Sequence, residues 1–164
     1  MATTDQAMTE QSMTDQGGQS ELTGVREQRA KLRAAMNGVE SVLSSALAGR
    51  TGAWAKELQP LMTDLRDAVN RHVAVTEGPG GLFEQIQTDA PHCSPAVQKL
   101  HGEHESFQTE IDEVLGKLDT GADDPVAMGA VREQVTSLVG RLVRHRQRGA
   151  DLIHDAYEVD IGGG

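Results

Sequence analysis

Aromatic side chains make up only 2% of this 164-residue chain: one Trp, one Tyr and two Phe. Sandwiches and barrels fill their strands with aromatic and β-branched residues, so the shortage argues against an all-β fold. A single cysteine, Cys93, excludes an internal disulfide and any cysteine-built zinc site. It falls in a loop with no evident base beside it, so thiol catalysis is not expected. No apolar run approaches the roughly 20 residues that cross a bilayer. The N-terminus also lacks the basic stretch followed by an apolar core that marks a signal peptide. A cytoplasmic location away from membranes is the simplest expectation. Basic residues are scarce too, with 15 Lys and Arg against 25 Asp and Glu and a formal charge of −10. A surface of that sign repels phosphate backbones and argues against nucleic acid as a partner.

What the chain does contain favours helix. Leu, Val, Ala, Glu, Gln and Arg dominate, and all but Val are good helix formers. Residues 1–20 repeat an MTDQ-like motif without Leu, Ile, Val or aromatics, and are read as a disordered tail. A folded domain is expected over residues 21–158, followed by a flexible, glycine-rich tail over 159–164.

Within the domain, apolar residues recur at alternating steps of three and four, which predicts amphipathic helices. The first is expected from about Glu21 to Ala48, with Leu22, Val25, Arg29, Leu32, Met36, Val39, Leu43 and Leu47 on one stripe. The second is expected to begin between Ala53 and Pro60 and to end near Thr76. Its stripe is Leu58, Leu61, Leu65, Ala68 or Val69, and His72. Gly78 to Gly81 breaks it, and a short helical piece follows over Leu82–Thr88. Ser94-Pro95, a cap residue followed by proline, starts a third long helix that stops near Gly121. Its stripe is Val97, Leu100, His104, Phe107, Ile111, Val114 and Leu118. Asp124-Pro125 starts a fourth that runs to Tyr157 through Met128, Val131, Val135, Leu138, Leu142, His145, Gly149, Leu152 and Ala156. Trp54 and Tyr157 are expected to pack at the two ends. Four amphipathic helices with short connections predict an all-α, up-down-up-down antiparallel four-helix bundle.

Each stripe carries one misfit: Arg29, His72, His104 and His145. In an antiparallel bundle all four fall at one end and at similar depth. A buried imidazole must satisfy both ring nitrogens, and histidines meeting in a bundle core form a coordination site. Glu77, just past His72, can swing over the helix end toward the same layer. His72, Glu77, His104 and His145 are therefore the candidate metal ligands, a set suited to iron, manganese or zinc. Glu103 is expected to orient a ligand from behind. His92, His101 and His154 lie off the stripes. No nucleophile stands beside a base, so no particular enzyme chemistry is singled out.

These residues resemble the hemerythrin-like, HHE cation-binding four-helix bundles. The likeness rests on His72 and Glu77 followed by Leu82-Phe83, on Leu100-His101-Gly102-Glu103-His104, and on Arg144-His145. The EGPGGLFEQI segment is similar to that of an actinobacterial-type subgroup. The first-helix ligand position of the family is occupied by Arg29 and the fourth-helix carboxylate position by Gly149, while Glu77 falls one residue late. The resemblance implies non-haem iron, mono- or dinuclear, and binding, sensing or detoxification of oxygen, peroxide or nitric oxide. The implied partners are a metal ion and a small diatomic or peroxide ligand; a homodimer is a separate expectation. The alternative is a metal-free descendant acting as a structural or protein-interaction module, with Arg29 paired to Glu77.

Overall fold

The computed structural model describes the backbone of residues 4–157 and the side chains of residues 23–157. The tail expected over 159–164 lies outside the described residues, as do the side chains of the tail expected over 1–20. Among the described residues there are four long helices and one short one: α1 Thr4–Leu43, α2 Thr51–Glu77, α3 Leu82–Asp89, α4 Ser94–Gly121 and α5 Pro125–Tyr157. A single 3₁₀ turn, Pro91–Cys93, leads into α4. No strand occurs among the described residues. α1 packs on α2, α2 on α4 and α4 on α5.

The ends of the helices follow from where backbone groups find partners. α1 begins at Thr4, ahead of the expected Glu21, and stops at Leu43 rather than Ala48. At the stop, the Ser44 and Ser45 hydroxyls donate back to the carbonyls of Glu40 and Val42 at 2.9 and 2.7 Å, which competes with helical bonding. Other helices supply the remaining donors. Trp54 Nε1 donates to the Val42 carbonyl at 3.1 Å, and the Arg132 guanidinium to that of Leu43 at 2.6 Å. α2 starts earlier than its stripe predicts, so Pro60 falls inside it, on the exposed face. There, water can take the carbonyl that proline leaves without a donor. Asp124 caps α5 as expected, its Oδ1 accepting from the amides of Val126 (2.9 Å) and Ala127 (3.2 Å). Ser94 does not cap α4: its own backbone is already helical, because the 3₁₀ turn runs straight on.

All seven stripe positions of α4 are buried. On α2 the buried line is Trp54, Ala55, Leu58, Met62, Leu65, Ala68 and Val69, so Met62 takes the central place expected of Leu61. Leu61 turns instead into the seam with α1, where its Cδ2 lies 3.2 Å from the position a Cβ on Gly38 would take. The glycine lets the two helices close. The apolar residues form a long main core and a smaller cluster around Phe83, Ile86, Cys93, Val97, Leu100 and Leu152. Along α4, His104 falls between Leu100 of the small cluster and Phe107 of the main core. Along α5, His145 falls between Leu142 and Leu152 in the same way. A polar layer thus separates two apolar ones.

Candidate metal centre

His72, His104 and His145 come from three helices, and their ligand atoms lie within 4.8 Å of one another. His104 and His145 are buried, and His72 is partly buried. The convergence is through one kind of atom. The Nε2 atoms of His104 and His145 are 3.0 Å apart, and those of His145 and His72 are 3.4 Å apart.

The other nitrogens of the two buried rings point away from the layer to carboxylates. His104 Nδ1 donates to Glu77 Oε1, and His145 Nδ1 donates to Glu103 Oε2 at 2.8 Å. An ionised carboxylate only accepts, so each Nδ1 carries the proton and each Nε2 keeps a bare lone pair. Each carboxylate is itself held. Glu77 Oε1 also takes a bond from His101 Nδ1 at 2.7 Å, and Glu103 Oε1 one from Arg148 at 2.5 Å.

The local sequence builds these partners at the end of α2. Gly78 sits where a Cβ would meet the Ala74 carbonyl at 2.4 Å, and one on Gly81 would lie within 2.9 Å of three carbonyls. Only glycines let the chain fold this tightly over the helix end. The turn seats Glu77 and delivers α3, whose Phe83 stacks on His104 with ring planes 6° apart and centroids at 5.6 Å. Phe107 meets His145 edge-on at 5.3 Å. Both phenylalanines of the chain therefore flank the histidine layer.

Burial and mutual proximity favour neutral rings. Burial, with His104 and His145 next and then Arg29 and Arg146, brings the His72 pKa down to about 3. Burial lowers His104 and His145 as well, against the opposing pull of Glu77 and Glu103. Burial acts to raise both glutamates, but the donors win: His101 and His104 hold Glu77 below the usual carboxylate range, and Arg148 and His145 do the same for Glu103.

Two bare lone pairs facing each other at 3.0 Å repel unless a positive charge lies between them. A shared proton would supply one, but burial disfavours the imidazolium. A metal ion fits the donor set. Two nitrogens bound at roughly 2.0–2.1 Å in tetrahedral geometry stand about 3.3 Å apart, between the two separations observed. The carboxylate behind each ring is the arrangement that fixes the tautomer of a ligating histidine and raises its basicity. Three protein nitrogens leave at least one coordination position open.

A cavity of about 20 Å³ lies beside the layer, lined by His72, His145, Arg29, Arg146, Phe83 and Gly149 among others. That space suits one or two heavy atoms. A cleft of about 540 Å³ shares Val25 and Leu82 with it.

No family model matches this chain, and no curated protein or solved structure does either. Of the four expected ligands, the structure brings His72, His104 and His145 together, while Glu77 holds His104 from behind rather than joining the three Nε2 atoms. Arg29 lines the cavity, but no ion pair joins it to Glu77 among the described residues; Glu77 is occupied by His101 and His104. Glu103 orients a histidine as expected, but across the helix interface, on His145. Sequence reasoning misses His101 and Arg148 as supports for the two carboxylates. His101 shares a face with His104 at a spacing of three, which is a usable signal. For Arg148, only the rotation of α5 against α4 brings it to Glu103.

Proposed function

We propose that the chain is a metalloprotein in which His72, His104 and His145 bind one transition-metal ion and leave a position open to a small ligand. The observation carrying this is the convergence of Nε2 atoms whose buried rings are locked by carboxylates in the ligating tautomer. Imidazole donors suit iron, zinc, copper and nickel. Non-haem iron is the choice the hemerythrin-like resemblance favours. A mononuclear centre is preferred because Glu77 and Glu103 are both engaged with histidines and leave a second ion no carboxylate bridge.

The bundle proposed around the site is up-down-up-down and antiparallel. In support, the end of α1 meets the start of α2 through Val42 and Trp54, and the early part of α5 through Leu43 and Arg132. The end of α2, the early part of α4 and the later part of α5 meet in the three histidines.

When bound, the metal would supply a Lewis-acidic centre able to take a small oxidant such as oxygen, peroxide or nitric oxide. The chain's own residues do the rest. Glu77 and Glu103 keep the Nε2 atoms aimed inward, while Phe83 and Phe107 pack against the rings. The cavity limits the ligand to one or two heavy atoms. Elemental analysis of protein from iron-supplemented and zinc-supplemented cells tests the proposal. The expected result is near-stoichiometric metal that His104→Ala removes. Trace metal in both media, unchanged in His104→Ala, would overturn it.

A further inference from the structure

Arg29 and Arg146 both line the small cavity, and both are only partly exposed. Among the described residues neither forms an ion pair with a carboxylate. The chain has 25 acidic residues against 15 basic ones, so the lack of a partner is not for want of acids. The nearby carboxylates are committed elsewhere: Glu77 to His101 and His104, Glu103 to His145 and Arg148. The two guanidinium groups feel one another: burial first, and then Arg146, lowers the Arg29 pKa. Gly149 provides the seat, since the Arg29 guanidinium lies 3.6 Å from the place its Cβ would take. Among the described residues, two half-buried cations of like sign beside neutral histidines form a positive pocket without a carboxylate, and such pockets hold counter-ions.

We infer that the cavity walled by Arg29 and Arg146 is a binding site for a small inorganic monoanion of one or two heavy atoms. The size follows from the cavity, whose free space of about 20 Å³ favours one small ion over a tetrahedral oxyanion. The charge follows from the two planar guanidinium groups, each a fork of donors without an acceptor of its own. The arginines need no metal for this, but the same cavity faces His72 and His145, so metal-free protein is the form that reads the arginine site by itself.

Chloride is the simplest probe. Chelator-treated and metal-loaded protein are each melted across a chloride series, with gluconate holding the ionic strength constant. A saturable rise in Tm is expected in both forms, because a ligand that binds only the folded state stabilises it by mass action. Sulfate at the same ionic strength should give no saturable rise. Arg29→Gln and Arg146→Gln should each weaken the chloride response by about tenfold or more, in line with losing one charge-assisted partner. Both should also melt higher than the parent in gluconate, because an uncompensated cation is gone. Line broadening of the chloride NMR signal provides a second readout that needs no melting. A flat chloride response in the parent, a response unchanged in both variants, or equal stabilisation by sulfate would overturn the assignment. A chloride response in protein that holds no metal would support the anion site while leaving the metal proposal to its own test.

Discussion

At the scale of single residues, the two carboxylate–histidine pairs are alike in form but not in setting. Glu77 is supported by His101, which is 58% exposed and shares its Oε1 with His104. Glu103 is supported by Arg148, a permanent charge, on the oxygen not used by His145. Replacing either by glutamine keeps a carbonyl to accept the Nδ1 proton but removes the negative charge that makes the ring a better donor. Loss of such a partner weakens metal affinity by about 10–100-fold. Glu103→Gln should fall toward the upper end, since it also leaves the half-buried Arg148 without its carboxylate. Glu77→Gln should fall lower, and His101→Ala lower still, because an exposed imidazole contributes little that water cannot. Competition against a chromophoric chelator ranks the three. Equal affinity in Glu103→Gln and the parent would mean the carboxylate does not tune a ligand.

At the scale of helices, two starts that look alike in sequence behave differently. Ser94-Pro95 and Asp124-Pro125 both present a cap residue before proline, yet only Asp124 accepts backbone amides. Asp124→Ala should therefore cost about 1 kcal/mol, and Ser94→Ala close to nothing, measured by chemical denaturation at unchanged metal content. The difference is invisible in the sequence because it depends on the 3₁₀ turn feeding α4, which starts at Pro91 directly after the buried Ala90. Much else is legible. The stripe of α4 can be read at every position because seven core residues keep one period without a break. On α2, adjacent Leu61 and Met62 are both apolar, so period alone does not say which faces the centre; the close approach of α1 at Gly38 decides it. Three histidines at one depth stand out as misfits on apolar stripes. The roles of Glu77, Glu103 and Arg148 do not, because these depend on how far one helix is rotated against the next.

At the scale of the molecule, the polar layer ties stability to pH. His72 titrates near 3 in the folded chain against an ordinary 6.5, and burial pushes His104 and His145 in the same direction. A group with a depressed folded pKa binds more protons when unfolded than when folded in the interval between the two values. The unfolded state therefore gains as pH falls, and the contribution of neutral rings, complete above 6.5, drains away from there toward about 3. Glu77 and Glu103 add a second loss of the same sign, beginning below the ordinary 4.5 and continuing through their lowered folded values. Metal-free protein should thus lose stability in two overlapping stages, the first setting in below 6.5 and the second below 4.5. Each tenfold difference in a ring's proton affinity between the folded and unfolded chain sets an upper bound of about 1.4 kcal/mol on its share of the loss. His72→Leu should flatten the first stage and leave the second. Bound metal should steepen it, because protons must displace the ion before the rings can charge, so that acid unfolding and metal release become one transition. Denaturant midpoints measured from neutral to acidic pH on chelated and metal-loaded protein separate these cases. A first stage equally steep in the parent and in His72→Leu would show that folding leaves the proton affinity of His72 unchanged, and the electrostatic account of the layer would fail with it.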